Sequence, residues 1–373
     1  MNPLINYFNN QKQEFISFIR KLVEYRSYNG ETNNINIFAD FLYSLFSGFH
    51  PDIIERKTTP AGDILIIDYF TDFSKTIVLL SHMDTVKVED NNPKAIIKDG
   101  KLFGNGSYDM KTGIALFYFL LKAIFQGEFK IDKRIRIILN PDEESGSKYS
   151  KETIYQFSKD AQAVLIPEPC CPDGGVKVKR KAIGKIDAII TGKAAHSGIE
   201  PEKGVDANRS LTILINKIDE LVSKERGISF NPGIIEGGVR TNVVSPISKM
   251  RAEIRGFDTE QIISIMNQIK DIKNIGDAIV EIKTNLEHPA LEKTDKNIKL
   301  YKIAKQAADN MGYKLPECYS GGASDGSTLS YKGIPVIDGI GIRGGGAHSI
   351  GEYIEPDDFP FRAFLIASIV KGL

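Results

Sequence analysis

Apolar runs of strand length alternate with helical patterns in the first half of the chain. Apolar residues recur at helical spacing over residues 13–25, and a longer apolar stretch at 110–125 predicts a buried helix. Short apolar runs at 76–80, 135–139 and 163–166 are typical of buried strands. Strands that alternate with helices predict an α/β layer architecture built on a largely parallel sheet.

The middle of the chain has a different pattern. Residues 185–191, 249–256 and 278–283 have strand character, whereas 206–221 and 261–272 have helical character. We interpret these elements as members of a βαββαβ order, which resembles a small split-βαβ, ferredoxin-like sandwich. The middle segment is therefore expected to fold as a separate α+β domain.

The last part of the chain returns to the pattern of the first. Its predicted elements are a helix at 296–311, a loop at 320–327, a strand at 336–340 and a closing helix at 360–370. The simplest division makes residues 183–291 an insertion. Residues 1–182 and 292–373 then form one discontinuous domain.

Composition and charge exclude several classes of protein. At roughly 150 residues per domain, a chain of 373 residues holds about two domains. Hydrophobic residues at 42% and charged residues at 26% indicate a globular rather than a disordered chain. The 48 basic residues balance the 48 acidic ones, which argues against binding to nucleic acid or to a membrane surface by overall charge.

The N-terminus and the cysteines suggest where the protein resides. The first residues lack a signal-peptide pattern, and the most apolar stretch, at 114–125, is too short to span a bilayer. Cys170 and Cys171 are adjacent and Cys318 is distant, so no disulfide framework is expected. These features predict a reducing, cytoplasmic location.

Five polar clusters follow the apolar runs or lie close to them, where an open α/β sheet binds its ligands. His82 and Asp84 come directly after the run at 76–80, as H-x-D. Residues two apart in an extended segment share a face, so the Asp84 carboxylate could hold the imidazole while its other nitrogen binds a metal. The alternative is a loop histidine that bonds to a turn.

The second cluster opens the helix at 110–125. Asp109 stands where a helix dipole favours a carboxylate, so simple capping is its alternative. Gly104 and Gly106 suggest a phosphate loop, but the third glycine of a dinucleotide motif is missing, and no G-x-x-x-x-G-K-[ST] motif exists. This pattern argues against nucleotide binding.

The remaining clusters contribute three carboxylates and a histidine. Glu143 and Glu144 are adjacent and follow a strand. One interpretation is a solvent-exposed turn without a functional role. The other is a two-metal hydrolase, which needs one carboxylate as a ligand and one as the general base. Glu168 stands between two prolines, and glycines at 344–346 give the backbone before His348 the freedom to approach a ligand. Together the clusters supply what a carboxylate-bridged pair of zinc-like ions needs, namely a histidine and a terminal carboxylate for each ion.

This set of motifs resembles the co-catalytic zinc exopeptidase family. The family includes glutamate carboxypeptidase, acetylornithine deacetylase, succinyl-diaminopimelate desuccinylase, peptidase T and aminoacylase. The resemblance implies a three-layer mixed-sheet catalytic domain of α/β class with an inserted lid or dimerisation domain. It implies Glu143 as catalytic base, Asp84 as the acid that orients the first zinc ligand, and Asp109 as the bridge. The implied metal ligands are His82, Asp109, Glu144, Glu168 and His348.

The insertion also resembles the lid of this family. His196, in Ala-Ala-His-Ser-Gly, matches the lid histidine that reaches the active site, in dimers from the partner subunit, and stabilises the oxyanion. Asn242 and Arg255 match residues that contact substrate, and Gly322 lies in a loop that resembles the lining of a carboxylate pocket. A structural salt bridge is the alternative for Arg255. His288 stands where relatives often have an arginine, and Arg343 is a cation that could replace it.

The resemblance implies a di-zinc amidohydrolase, with cobalt or manganese as other metals. Its motifs are most similar to the glutamate carboxypeptidase branch, which implies release of a C-terminal amino acid from a small peptide by a homodimer joined through the lid. An N-acyl-amino-acid deacylase that uses the same site is the alternative. A non-catalytic binding protein on this scaffold is the hypothesis from a different class.

Overall fold

The computed structural model describes residues 2–89, 94–222 and 227–373. In this part of the chain the helices are α1 (Pro3–Val23), α2 (Thr32–Ser47), α3 (Thr112–Phe125), α4 (Lys151–Ser158), α5 (Ala207–Leu221), α6 (Thr259–Lys270), α7 (Asp295–Asp309), α8 (Asp325–Tyr331) and α9 (Phe359–Gly372). The strands are β1 (Ile53–Thr59), β2 (Gly62–Tyr69), β3 (Thr76–His82), β4 (Ile96–Lys98), β5 (Lys101–Phe103), β6 (Arg134–Asn140), β7 (Ala163–Ile166), β8 (Val176–Arg180), β9 (Ala182–Thr191), β10 (Ser229–Gly237), β11 (Ile247–Gly256), β12 (Asn274–Ile275), β13 (Ala278–His288), β14 (Glu317–Ser320), β15 (Val336–Asp338), β16 (Gly344–Gly345) and β17 (Tyr353–Ile354).

The chain divides into two compact units. The first comprises Met1–Val178, Lys293–Tyr319 and Ser324–Leu373, and the second comprises Lys179–Glu292 and Ser320–Ala323. The second unit thus includes four residues, 320–323, that the sequence places in the loop after the insertion. Each unit has its own cluster of buried apolar side chains.

The first unit is built on an eight-stranded mixed sheet, ordered β1-β2-β6-β3-β7-β15-β8-β14. Its central strands β6, β3, β7 and β15 are parallel, whereas β2 pairs with β6 and β15 pairs with β8 in antiparallel fashion. These central parallel strands coincide with the uninterrupted apolar runs of the sequence. The runs do not alternate with polar residues because strands of this kind are buried on both faces. The short antiparallel edge strands lack that signal.

Helices cover this sheet. Leu79 and Ile137 point into the same apolar cluster as Phe15 of α1 and Leu116 of α3, and Val78, on the opposite face of β3, is buried too. With both faces of the sheet covered, the first unit has the three layers that the resemblance implies.

The second unit is a five-stranded antiparallel sheet ordered β10-β11-β9-β13-β12, with α5 and α6 in its core. Buried and exposed residues alternate along β9 and β11, so one face carries the helices and the other meets solvent. This is the α+β arrangement expected for the insertion, and the fold-class prediction is confirmed.

The cysteine prediction was wrong. Cys171 and Cys318 form a disulfide, with their Cα atoms 6.5 Å apart across 147 residues of sequence. The sheet brings their segments together, since β8 and β14 are neighbours. The cysteines therefore carry no argument for a reducing compartment. Among the described residues no helix combines the length and the apolar composition that a membrane crossing requires.

Candidate metal centre

One edge of the central sheet gathers most of the residues that the sequence singles out. His82 ends β3, Glu143 and Glu144 follow β6, and Glu168 follows β7. These three strands are adjacent and parallel, so their carboxyl ends lie at the same edge. The polar residues at the carboxyl ends of these buried strands therefore lie side by side.

Asp109 and His348 reach this edge from loops. Asp109 lies in the turn that precedes α3, and His348 follows β16. His348 has a φ of +62°, and Gly346 has a φ of +73°, a region that glycine adopts most readily. A methyl group on Gly346 would lie 2.8 Å from the Gly351 carbonyl oxygen, so the glycine is required there for close packing as well.

The two oxygens of Asp109 face two different groups of side chains. Oδ1 lies 3.3 Å from His82 Nε2, which is itself 3.6 Å from Glu168 Oε1. Oδ2 lies 3.3 Å from His348 Nε2, which is 3.1 Å from Glu144 Oε2. Asp109 is therefore shared between one group with His82 and Glu168 and another with His348 and Glu144.

These distances fit a pair of metal ions. Ligand atoms placed tetrahedrally about 2.1 Å from a zinc ion lie ~3.4 Å from one another. His82 Nε2 and Glu144 Oε1 are buried and find no hydrogen-bond partner among the residues that the structure describes, which is costly unless a ligand satisfies them. The donor set of imidazole and carboxylate suits zinc and similar divalent ions.

Glu143 lies beside the first group. One of its carboxylate oxygens lies within 4.8 Å of a ligand atom of His82 and of Glu168, so these three residues could also hold a metal ion. Burial and the nearby negative charge of Glu168 raise the pKa of Glu143 well above its usual value. A carboxylate with a raised pKa is suited to accept a proton.

The imidazoles and the shared carboxylate favour each other's charged forms. Burial lowers the pKa of His82, but the nearby carboxylates of Asp109, Asp84 and Glu168 outweigh burial and raise that pKa. Asp109 and Glu144 raise the pKa of His348 to about 10. Burial opposes ionisation of Asp109, but the two histidines hold its pKa below its usual value. A metal ion that binds here must displace these imidazole protons.

Asp84 supports the site differently from the sequence prediction. His82 Nδ1 lies 2.8 Å from the Asp84 main-chain carbonyl oxygen and 3.4 Å from its carboxylate. The carboxylate instead accepts the main-chain N–H groups of Glu143 at 3.1 Å and Glu144 at 3.0 Å. Asp84 thus orients the imidazole through its backbone and holds the turn of the two glutamates through its side chain.

His196 belongs to the second unit and is exposed. Its segment pairs with the one around Asn242: Ser197 donates its N–H to the Asn242 carbonyl oxygen at 3.1 Å, and His196 bridges to Val243. His196 Nδ1 accepts the Gly198 N–H at 3.2 Å. The neutral imidazole therefore carries its proton on Nε2, where it can donate a hydrogen bond.

Two arginines of the second unit hold the loop that contains Gly322. Arg255 donates to the Gly321 carbonyl oxygen at 2.7 Å and pairs with Glu253. Arg180, which sequence reasoning missed, is buried and donates to the Ala323 carbonyl oxygen at 2.9 Å. Arg255 is therefore engaged in the salt bridge that was its alternative interpretation.

The two residues considered in place of the expected arginine lie in different units. His288 is a buried residue of β13 in the second unit, opposite Ile183. Arg343 belongs to the first unit, and its Nε lies 3.4 Å from Asp358 and 3.7 Å from Glu355. The guanidinium of Arg343 is thus already placed against two carboxylates.

Three residues that support the site were given no individual role from the sequence. Asn29 donates to the Asp84 carboxylate at 2.9 Å. Asp325 accepts from Asn140 at 3.0 Å and from Ser147, and burial raises its pKa to about 6. Glu352 is buried below the Asp109 turn, and burial raises its pKa to about 7. An acid four residues after His348 was a signal for Glu352, whereas the other two depend on tertiary contacts.

Comparisons with known proteins agree with the geometry. The fold and its gathered histidines and carboxylates define a metallohydrolase. The chain belongs to peptidase family M20/M25/M40, whose model matches residues 78–372. This confirms the family predicted from the motifs.

The relatives are distant but cover most of the chain. It is 26% identical to carboxypeptidase G2 of a Pseudomonas species, over 100% of this chain and 92% of that protein. It is 25% identical to succinyl-diaminopimelate desuccinylase of a Nitratiruptor species, over 78% and 82%. A tripeptidase structure from Staphylococcus aureus superposes with a TM-score of 0.83 at 24% identity, over 96% of this chain and 98% of that one.

Proposed function

We propose that the protein is a di-zinc hydrolase that cleaves an amide bond and releases a C-terminal amino acid with a free carboxylate. The observation that carries the proposal is Asp109, whose two oxygens lie 3.3 Å from two histidines on separate loops. A carboxylate shared in this way supports two adjacent cations rather than one. Membership of a peptidase family supports amide hydrolysis as the reaction.

The chain's own residues would hold both ions. His82 and Glu168 would bind one ion, His348 and Glu144 the other, and Asp109 both. When bound, the ions would polarise the scissile carbonyl and lower the pKa of a water molecule. Cobalt or manganese fits the same ligands.

Glu143 would act as the general base. It lies next to His82 and Glu168, and burial raises its pKa, so we assign it as the base rather than as a ligand, as the resemblance implies. It would take a proton from the attacking water and return it to the leaving amine. The Asp84 carboxylate, by binding the N–H groups of both glutamates, would keep the base and its neighbouring ligand in fixed register.

His196 would stabilise the oxyanion. Its Nε2 proton is fixed by the Gly198 contact at Nδ1, so the ring can donate to a carbonyl oxygen that gains charge. His196 belongs to the lid unit and the metal ligands to the other unit. We propose that lid closure, in a homodimer joined through the lid, brings this histidine to the reacting carbonyl.

The free carboxylate of the substrate would bind at residues 320–323. Arg180 and Arg255 donate to carbonyl oxygens of this loop, which places two positive charges beside it that would attract an anion. This substrate class agrees with the name of the carboxypeptidase relative. The desuccinylase relative supports the alternative, an N-acyl-amino-acid deacylase that uses the same centre.

A substrate panel tests the proposal. Zinc-reconstituted protein is incubated with dipeptides, γ-glutamyl and folyl-glutamate compounds and N-acyl amino acids, and the released amines are identified by mass spectrometry. Release of a C-terminal amino acid, abolished in Glu143→Gln, is the expected result. Preference for N-acyl amino acids selects the deacylase, and no hydrolysis of any compound by the two-metal form favours a binding protein. The cytoplasmic location expected from the sequence stays a prediction.

A further inference from the structure

The carboxylate of Glu352 is buried beneath the turn that carries Asp109. Only 2% of the surface of Glu352 is exposed to solvent. Oε2 accepts the Gly106 N–H at 2.6 Å, and Oε1 accepts the N–H groups of Tyr108 at 2.8 Å and Asp109 at 2.9 Å. A buried carboxylate is costly unless such donors compensate it, so these three bonds fix the turn strongly.

Glu352 also joins the two loops that supply Asp109 and His348. Its main-chain N–H donates to the Ser349 carbonyl oxygen, in the loop that follows His348. Its own carbonyl oxygen accepts the Gly104 N–H, just before the Asp109 turn. The next residue, Tyr353 of β17, pairs with Phe103 of β5 on one side and with Gly345 of β16 on the other. The strand before the Asp109 turn and the strand before the His348 loop thus meet at one small sheet.

From this geometry we infer that Glu352 is a positioning residue for the second metal ion. It sets the distance between Asp109 Oδ2 and His348 Nε2, which is 3.3 Å. This inference rests on the proposed function. The first ion depends on His82 and Glu168, which follow strands of the central sheet, and needs Glu352 only for the Asp109 turn. The second ion needs both loops that Glu352 joins, so its binding is the more sensitive.

The variant that tests this is Glu352→Gln. The carboxamide keeps the size of the side chain, but its nitrogen cannot accept an N–H, so at least one of the three bonds is lost. Glu355→Gln, three residues later and beside Arg343, is the matched control. Metal-free protein is titrated with cobalt chloride alone, and binding is followed by the visible absorption of the cobalt ions and by calorimetry.

Wild type and the control are expected to bind two cobalt ions. Glu352→Gln is expected to bind the first with little change and the second about 10–100-fold more weakly, with an altered absorption spectrum. Its metal-free thermal unfolding is measured in parallel. Two ions bound with wild-type affinity and spectrum overturn the inference, as does an equal loss at both sites that merely follows reduced stability.

A second variant covers a failure of the first to fold. Glu352→Asp keeps the charge but shortens the side chain by one methylene, and an intermediate loss at the second site is expected. A folded Asp variant with wild-type second-site affinity overturns the inference, and so does failure of both variants to fold with or without metal. A wild-type protein that binds fewer than two cobalt ions instead overturns the proposed metal centre itself.

Discussion

The carboxylate of Asp84 accepts the main-chain N–H of Glu143 at 3.1 Å. The same carboxylate accepts from Glu144 at 3.0 Å and from the Asn29 side chain at 2.9 Å. A single buried acid therefore holds the turn in which the proposed base and a proposed metal ligand are adjacent.

The first prediction concerns this turn. In wild type the two carboxylate oxygens of Asp84 accept one main-chain N–H each, from Glu143 and Glu144. Asp84→Asn has only one side-chain oxygen, so the turn should lose one of these hydrogen bonds. Such losses around metal ligands typically cost 10–100-fold in metal affinity or activity, and we expect a loss of about that size. Zinc titration and kcat measure it, with Asp72→Asn at an exposed position as control. Wild-type values for both quantities would refute the role of Asp84.

The second prediction separates the adjacent glutamates. Glu143→Ala should keep both metal ions and lose roughly 10²–10⁴-fold in kcat, the usual contribution of general base catalysis. Glu144→Ala should lose the second ion, because Glu144 lies 3.1 Å from His348 Nε2. Metal analysis and kcat of the two variants distinguish them. If Glu143→Ala loses metal and Glu144→Ala does not, the assignment is reversed.

The third prediction concerns the lid. His196→Ala should lower kcat by about 10²–10³-fold, as loss of an oxyanion donor does, with unchanged metal content. If His196 acts across a dimer, mixing His196→Ala subunits with Glu143→Ala subunits should restore activity. One of the two active sites in a mixed dimer then has an intact Glu143 and an intact His196 from the partner. Size-exclusion chromatography verifies the dimer, and co-purification of two differently tagged variants verifies subunit exchange. No recovery despite exchange would leave the catalytic role but contradict the action across subunits.

The fourth prediction follows from the pKa of Asp325, which burial raises from 3.8 to about 6. An acid whose pKa is higher in the folded state destabilises the fold progressively as pH rises from about 4 to about 6. Asp325→Asn should remove this cost, roughly 3 kcal/mol at most, because the amide can still accept from Asn140 and donate to Ser147.

Denaturant unfolding in the presence of a chelator checks this prediction at several pH values. The gain in unfolding free energy for Asp325→Asn should be full at pH 8, decrease below pH 6 and vanish near pH 4. A variant that is less stable than wild type at pH 8, or a gain that does not depend on pH, would contradict the account of this buried acid.

The sequence predicted the central elements better than the peripheral ones. The runs at 76–80 and 163–166 became β3 and β7, because uninterrupted apolar strands must be buried on both faces. Helix α2 was not predicted, although its buried residues Ile35, Phe38 and Leu42 recur at helical spacing. The two-residue strands β16 and β17 are too short to show any periodicity. Their existence depends on neighbours that are distant in sequence.

The grouping of His82, Glu144 and Glu168 was predictable for the same reason, since these proposed ligands end or follow strands whose order fixes a common edge. The contacts that support the ligands were not. The acceptor for the Asp109 turn is Glu352, 243 residues away, and the partner of Cys171 is 147 residues away. The Asp84 carboxylate was assigned to the neighbouring imidazole, from which it lies 3.4 Å. Its bond to the main chain of Glu143, which the register of β3 and β6 brings near, was not predicted.

The most direct test of the central claim is the hydrolytic rate of metal-free protein as zinc is added stepwise, with the best substrate of the panel. Because two groups of side chains share Asp109, we expect the rate to rise to a plateau at two zinc ions per chain and to fall to background on chelation. A plateau at one ion, or full activity without added metal in the presence of a chelator, would contradict the two-metal centre.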